Sequence, residues 1–196
     1  DLMSLDIESN YKHQGRNRSW VQGQLLNPYD FNKAEMKYFG DETYLEAHNS
    51  NKQRTAAEQK VSNLKKELAE RREENLKYLI EDDYKSDISN IRDFEVPQTG
   101  RLFDDTLAYS FHFETKGFVS KAGPNYILQA GNFIGSQVEI SEKGMTRTAD
   151  IYMPYARSYN EDVIISIPEG YTVEGLENLN KRVINKAGGF ISEATL

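Results

Sequence analysis

The chain contains no cysteine. That one absence removes thiol nucleophiles, disulfide bridges and Cys-ligated zinc together. It leaves the redox compartment open, because a cysteine-free protein tolerates either state. Positive charge is also in deficit: 24 Lys and Arg stand against 31 Asp and Glu, for a net charge of −7. A general nucleic-acid surface is therefore not expected. No run approaches the ~20 apolar residues of a membrane span, so no direct span is expected. Only three histidines occur, His13, His48 and His112. They lie far apart, and each reads as a surface or hydrogen-bonded side chain rather than a metal ligand. No Gly-x-Ser-x-Gly elbow is present. The stretch Gly131 to Gly135 lacks the Lys-Ser/Thr that completes a phosphate loop. No catalytic residue, metal or cofactor is assigned.

What is present is a globular composition, with 38% hydrophobic residues, 12 Tyr and 9 Phe. At 196 residues folding can bury roughly 70% of the unfolded surface, so a core needs no staples. Met3, Leu5 and Ile7 alternate with polar residues, as a half-buried strand would to about Tyr11. Ser19 to Leu26 fits a short helix slightly better than a strand. Asn27 to Asp30 reads as a turn, Phe31 to Phe39 as a second short helix, and Glu46 to Arg54 as a loop. From Thr55 to Tyr84 a long charged helix is expected. Ala57, Val61, Leu64, Leu68, Leu76, Leu79 and Ile80 form a thin stripe at spacings of three and four, interrupted between Glu70 and Asn75. That stripe is too short for the sustained heptads of a coiled coil, and it suggests a solvated helix resting one edge on the body.

After Ser86 the pattern is β. Ile88, Ile91, Phe94 and Val96 lead to Pro97. Leu107, Tyr109, Phe111 and Phe113 alternate with polar neighbours, and His112 falls on the opposite face. Further strands are expected at 126–130, at Val138 and Ile140, at 148–153, 161–167, 171–173 and 182–186, and through Phe190 and Ile191. Turns separate them, among them Pro168-Glu169-Gly170. The whole, residues 1–196, reads as one mainly β domain, an antiparallel β-sandwich-like fold. It carries one long helix and one or two short ones, with a helical insertion over residues 16–85. The opening at Asp1 and the close at Leu196 lie in strand-like sequence and read as the ends of a piece of a longer polypeptide.

Two groups of side chains invite a functional reading. Tyr152, Tyr155 and Tyr159 with Arg157 surround Pro154; clustered tyrosines beside an arginine suit a partner surface or a sugar-stacking platform. The acidic pairs Asp82-Asp83 and Asp104-Asp105 carry oxygen ligands of the kind a hard cation takes, but without the alternating spacing of an EF-hand loop. A divergent hydrolase would need such carboxylates brought ~5–10 Å from others in a cleft.

The segment Arg147 to Val173 ends its strand in Ile167-Pro168-Glu169-Gly170-Tyr171. It resembles the C-terminal region of bacterial transglutaminase-like cell-envelope proteins, a β-domain of unknown function that follows a papain-like catalytic domain. That family's catalytic Cys, His and Asp belong to the upstream domain, and nothing catalytic carries over to this cysteine-free chain. The resemblance implies a non-catalytic accessory or structural module, periplasmic or in the cell envelope. It would pack on upstream domains of the same polypeptide or present a surface to a partner. A carbohydrate- or peptide-binding sandwich, with a protein or glycan ligand, is the first alternative; a hydrolase using acidic residues is the second.

Overall fold

The computed structural model describes residues 2–43, 45–47, 50–135, 142–150, 152 and 156–196. The chain forms two compact units, Asp1–Ile151 and Tyr152–Leu196.

The first unit is built on a three-stranded antiparallel sheet. Strands β1 (Ser4–His13), β2 (Ile88–Thr99) and β3 (Leu107–Lys116) lie in the order β1-β3-β2. Alternation in β3 decides its faces. Leu107, Tyr109, Phe111, Phe113 and Thr115 are all buried, while Ser110, His112 and Glu114 look the other way. Burying Phe111 and Phe113 contributes about 1.5–3 kcal/mol apiece. Strand β1 matches this pattern, with Ile7 opposite Phe113, Ser9 opposite Phe111 and Tyr11 opposite Tyr109.

Helix α1 (Gly15–Leu25) follows β1 and buries Val21 and Leu25, four residues apart on one face. Helix α2 (Pro28–Phe39) comes next. Its start includes the expected turn: the Asn27 side chain accepts from the Tyr29 N–H at 2.9 Å, and Pro28 occupies the first helical position, where its missing N–H costs nothing. Helix α3 (Asn51–Tyr84) begins inside the expected loop, because Ser50 caps it by accepting from the Gln53 N–H at 3.3 Å. It ends at Lys85, whose left-handed backbone (φ 50°) lets its N–H reach the Glu81 carbonyl.

The long helix corrects the expectation of an edge-resting insertion. Leu76 and Ile80 belong to the same buried cluster as Val21, Leu25, Leu107, Tyr109, Phe111 and Phe113. Leu79 and Tyr84 pack beside them. The interruption at 70–75 separates this half from a lesser contact at Ala57 and Val61, which are also buried. The Asn75 amide donates to the Gln24 carbonyl at 2.9 Å and ties the helix to the end of α1.

Strand β2 departs from regular β structure in a repeated way. Ser89 pairs with Glu114, Arg92 with His112, Glu95 with Ser110 and Gln98 with Ala108. It therefore uses three residues for every two of β3. Asn90 (φ 51°) and Asp93 (φ 54°) take left-handed backbone at two of these bulges. This accounts for the three-residue spacing of Ile88, Ile91 and Phe94, all of which reach the core side of the sheet.

Strands β4 (Val119–Ala122) and β5 (Asn125–Leu128) make a hairpin closed by Gly123-Pro124, with Gly123 at φ 62°. A 3-10 turn, Ala130–Ile134, and a short helix α4, Glu142–Met145, follow. The strand expected at Val138 and Ile140 lies outside the described residues.

In the second unit, β6 (Lys181–Ile184) and β7 (Gly189–Ser192) pair as a hairpin preceded by a 3-10 turn, Leu176–Leu179. The Pro168 turn forms, with the Tyr171 N–H donating to the Pro168 carbonyl at 3.2 Å. The strands expected at 161–167 and 171–173 do not form, and residues 148–150 are not in a strand either. These stretches pair with no neighbouring strand, and apolar alternation without a ladder partner fixes no strand. The helices also span more residues than the strands. The fold is thus antiparallel β with a large helical share rather than mainly β.

Candidate interaction surfaces

The core side of the sheet holds a stacked ladder of rings. Tyr11 lies 5.0 Å from Tyr109 and 5.7 Å from Phe111, nearly coplanar with both. Polar tips are satisfied inside it: the Tyr11 hydroxyl meets that of Tyr84 at 3.1 Å, and His13 Nε2 meets the Tyr109 hydroxyl at 3.2 Å. His13 Nδ1 accepts from the Asn17 amide at 3.0 Å, which places the imidazole proton on Nε2. Burial pushes the Tyr11 and Tyr109 hydroxyls well above the usual phenol range and His13 below its ordinary value. This is a structural use of histidine and tyrosine, with no open space for a substrate beside Phe111 and Leu107.

The outer face of the sheet is ionic. Arg92 donates two bonds of 2.7 Å to the Asp6 carboxylate. Its guanidinium also lies 3.9 Å from Glu114. His112 sits 3.5 Å from Asp93 and 3.8 Å from Glu8. Alternating attraction of this kind holds an exposed sheet face in water and contributes little to stability. His48 lies outside the described residues. Among the described residues no group of three His, Asp or Glu could hold a metal ion.

The acidic pairs are engaged locally. Asp104 accepts from the Thr106 N–H and Asp105 from the Thr106 hydroxyl, each at 3.0 Å. The Asp104 carbonyl accepts from Arg18. This is the geometry of a turn. Asp82 is answered by Lys85 at 2.6 Å, which offsets the negative charge at the C-terminus of α3. Asp83 is pushed above the ordinary carboxylate value by burial and then by its neighbour Asp82.

Two surfaces expose apolar side chains. The first is at the end of α2, where the rings of Tyr38, Phe39 and Phe103 meet edge to face. Phe103 is 83% exposed. A shallow groove of about 350 Å3 beside it is lined by Tyr29, Phe31, Lys33, Ala34 and Lys37, with Arg101 stacked 4.0 Å over Phe31. The sequence signal for this patch was Leu102-Phe103 inside an otherwise polar, acidic loop, and it was missed.

The second lies in the C-terminal unit, where no described side chain is buried. Ile164 is 96% exposed, and Val163, Ile165, Ile167 and Tyr171 are exposed with it. So are Val183, Ile184, Phe190 and Ile191 on both faces of the β6–β7 hairpin. The tyrosine group singled out from sequence adjoins this row. Tyr152 is 87% and Tyr159 64% exposed, Arg157 is exposed and engaged in an interaction, and Tyr155 with Pro154 lies outside the described residues. No family model, no curated protein and no solved structure matches the chain.

Proposed function

We propose that this chain is a non-catalytic accessory module of a transglutaminase-like cell-envelope protein, acting in the periplasm or envelope. Its C-terminal unit presents a partner surface, and its small antiparallel sheets become one layer of a sandwich when that surface is covered. One observation carries the reading: β-branched residues alternate at 163–167 and line both faces of β6 and β7, and all of them stand in water. Strands of that composition belong to sheets covered on both sides, and a lone hairpin is marginal in water. The Ile167-Pro168-Glu169-Gly170-Tyr171 wording supplies the family.

The test is the polypeptide as the cell makes it. Mass spectrometry of the native protein should find these residues joined to an exported papain-like domain with its Cys, His and Asp. A native protein without such a domain sinks the family reading.

Exposure of Tyr152 and Tyr159 also supports a second reading, a carbohydrate- or peptide-binding module. Titration with oligosaccharides, followed by intrinsic tyrosine fluorescence, should then show a saturable change that Tyr152→Ala and Tyr159→Ala abolish. A flat titration with a panel of glycans and extended peptides counts against it.

A further inference from the structure

Two stretches of the C-terminal unit answer each other residue by residue. Glu161-Asp162-Val163-Ile164 precedes Lys181-Arg182-Val183-Ile184 by 20 positions. Set side by side in parallel, each acid meets a base, Val163 meets Val183 and Ile164 meets Ile184. The faces agree as well. Val183 pairs with Phe190 across the hairpin, so Val163 extends one apolar row, and Ile164 lies against Ile184 on the opposite face. Among the described residues β6 has a ladder partner on one edge only, β7.

We propose that residues 161–167 are a donor strand for the open edge of β6 in a second copy of this chain, exchanged reciprocally to make a symmetric dimer. The proposal rests on the partner-surface reading above and names the partner. Within one copy the two stretches remain unpaired. They are separated by the Pro168 turn and the 3-10 turn Leu176–Leu179. A unit this small, with no buried described side chain, needs an external cover, and oligomerisation is one of the standard ways to supply it. Reciprocal exchange makes the interface isologous, so every favourable pair occurs twice.

Charge selects the register. Pairing 161–167 antiparallel with its own copy sets Glu161 across from Glu169, and like charges placed directly opposite repel. Laying it antiparallel on β6 keeps a single ion pair, Glu161 with Lys186, and sets Ile165 against Arg182. Only the parallel register satisfies both acids and both apolar residues.

The experiment is sedimentation equilibrium of the full chain over a range of concentrations, with amide hydrogen exchange at residues 163–166. A reversible dimer is expected, with protection of these amides rising alongside it. The charge reversal E161K/D162K should raise the dimer dissociation constant by about tenfold or more. Adding K181E/R182E to the same chain should bring it back to within about threefold of the original. Several results overturn the pairing. One is a chain that stays monomeric throughout. Another is protection that does not depend on concentration, which is closure within one copy. A third is a dimer indifferent to both reversals. The wider module reading fails on a different result, the absence of the papain-like domain from the native protein.

Discussion

Gly100 shows how little room a single position has. It is buried, at φ 65°, and a Cβ built there would stand 2.9 Å from the Leu107 nitrogen and 2.8 Å from Arg18 Cδ. The Gln22 amide donates to the Thr99 and Gly100 carbonyls at 2.7 and 2.9 Å, which holds α1 against the end of β2. Gly100→Ala adds left-handed strain to a contact with immovable backbone. It should cost about 2–4 kcal/mol in urea unfolding. His13 sets a pH dependence. Burial lowers its folded-state pKa below the model value of 6.5, so the unfolded chain takes up the proton first as the solution is acidified. Stability from this site is complete above that value and is lost as pH falls through the folded pKa. Unfolding measured between pH 7.5 and 5 should show this decline, and His13→Gln should flatten it.

At the scale of elements, the bulged strand is the part that ordinary periodicity hides. Its apolar positions, Ile88, Ile91 and Phe94, have the spacing of neither a strand nor a full helical face. Only pairing with a regular β3 turns that spacing into a core-facing row. The bulges depend on backbone that β-branched residues resist. Asn90→Val should therefore be less stable than Asn90→Gly by roughly 1–2 kcal/mol, both variants having lost the bond to Glu114. Equal stabilities in chemical denaturation would show that the left-handed backbone at Asn90 is not required. The bulges also coil β2, an edge strand, and so discourage pairing at that edge. The long helix teaches a similar lesson. Its stripe was visible, but the charged stretch 70–75 concealed that Leu76 and Ile80 are core residues. What decides their burial is the sheet they meet.

On the scale of the whole molecule, the two units differ in kind. Every apolar side chain found buried lies between Val21 and Val119, so the cooperative core belongs to the first unit. A shortened chain of residues 1–151 should keep its thermal midpoint within about 4 °C of the full chain's, a shift worth roughly 1 kcal/mol. Loss of cooperative unfolding in that shortened chain would show that the core needs the C-terminal unit.

Much of the first unit was legible in the sequence because its signals are local. Alternation in 107–113 gave a strand and its inner face, placing His112 outside. Spacings of three and four gave the helices, although Ser50 and Pro28 moved their starts. The absence of cysteine excluded thiol chemistry before any coordinates. Tertiary structure alone decided what depends on a partner. It made α3 a core helix by laying Leu76 and Ile80 against β3, and turned the irregular apolar spacing of β2 into a bulged ladder. It also left 163–167 exposed, because a strand exists only when another supplies its hydrogen bonds, and alternation in a single segment cannot specify that neighbour.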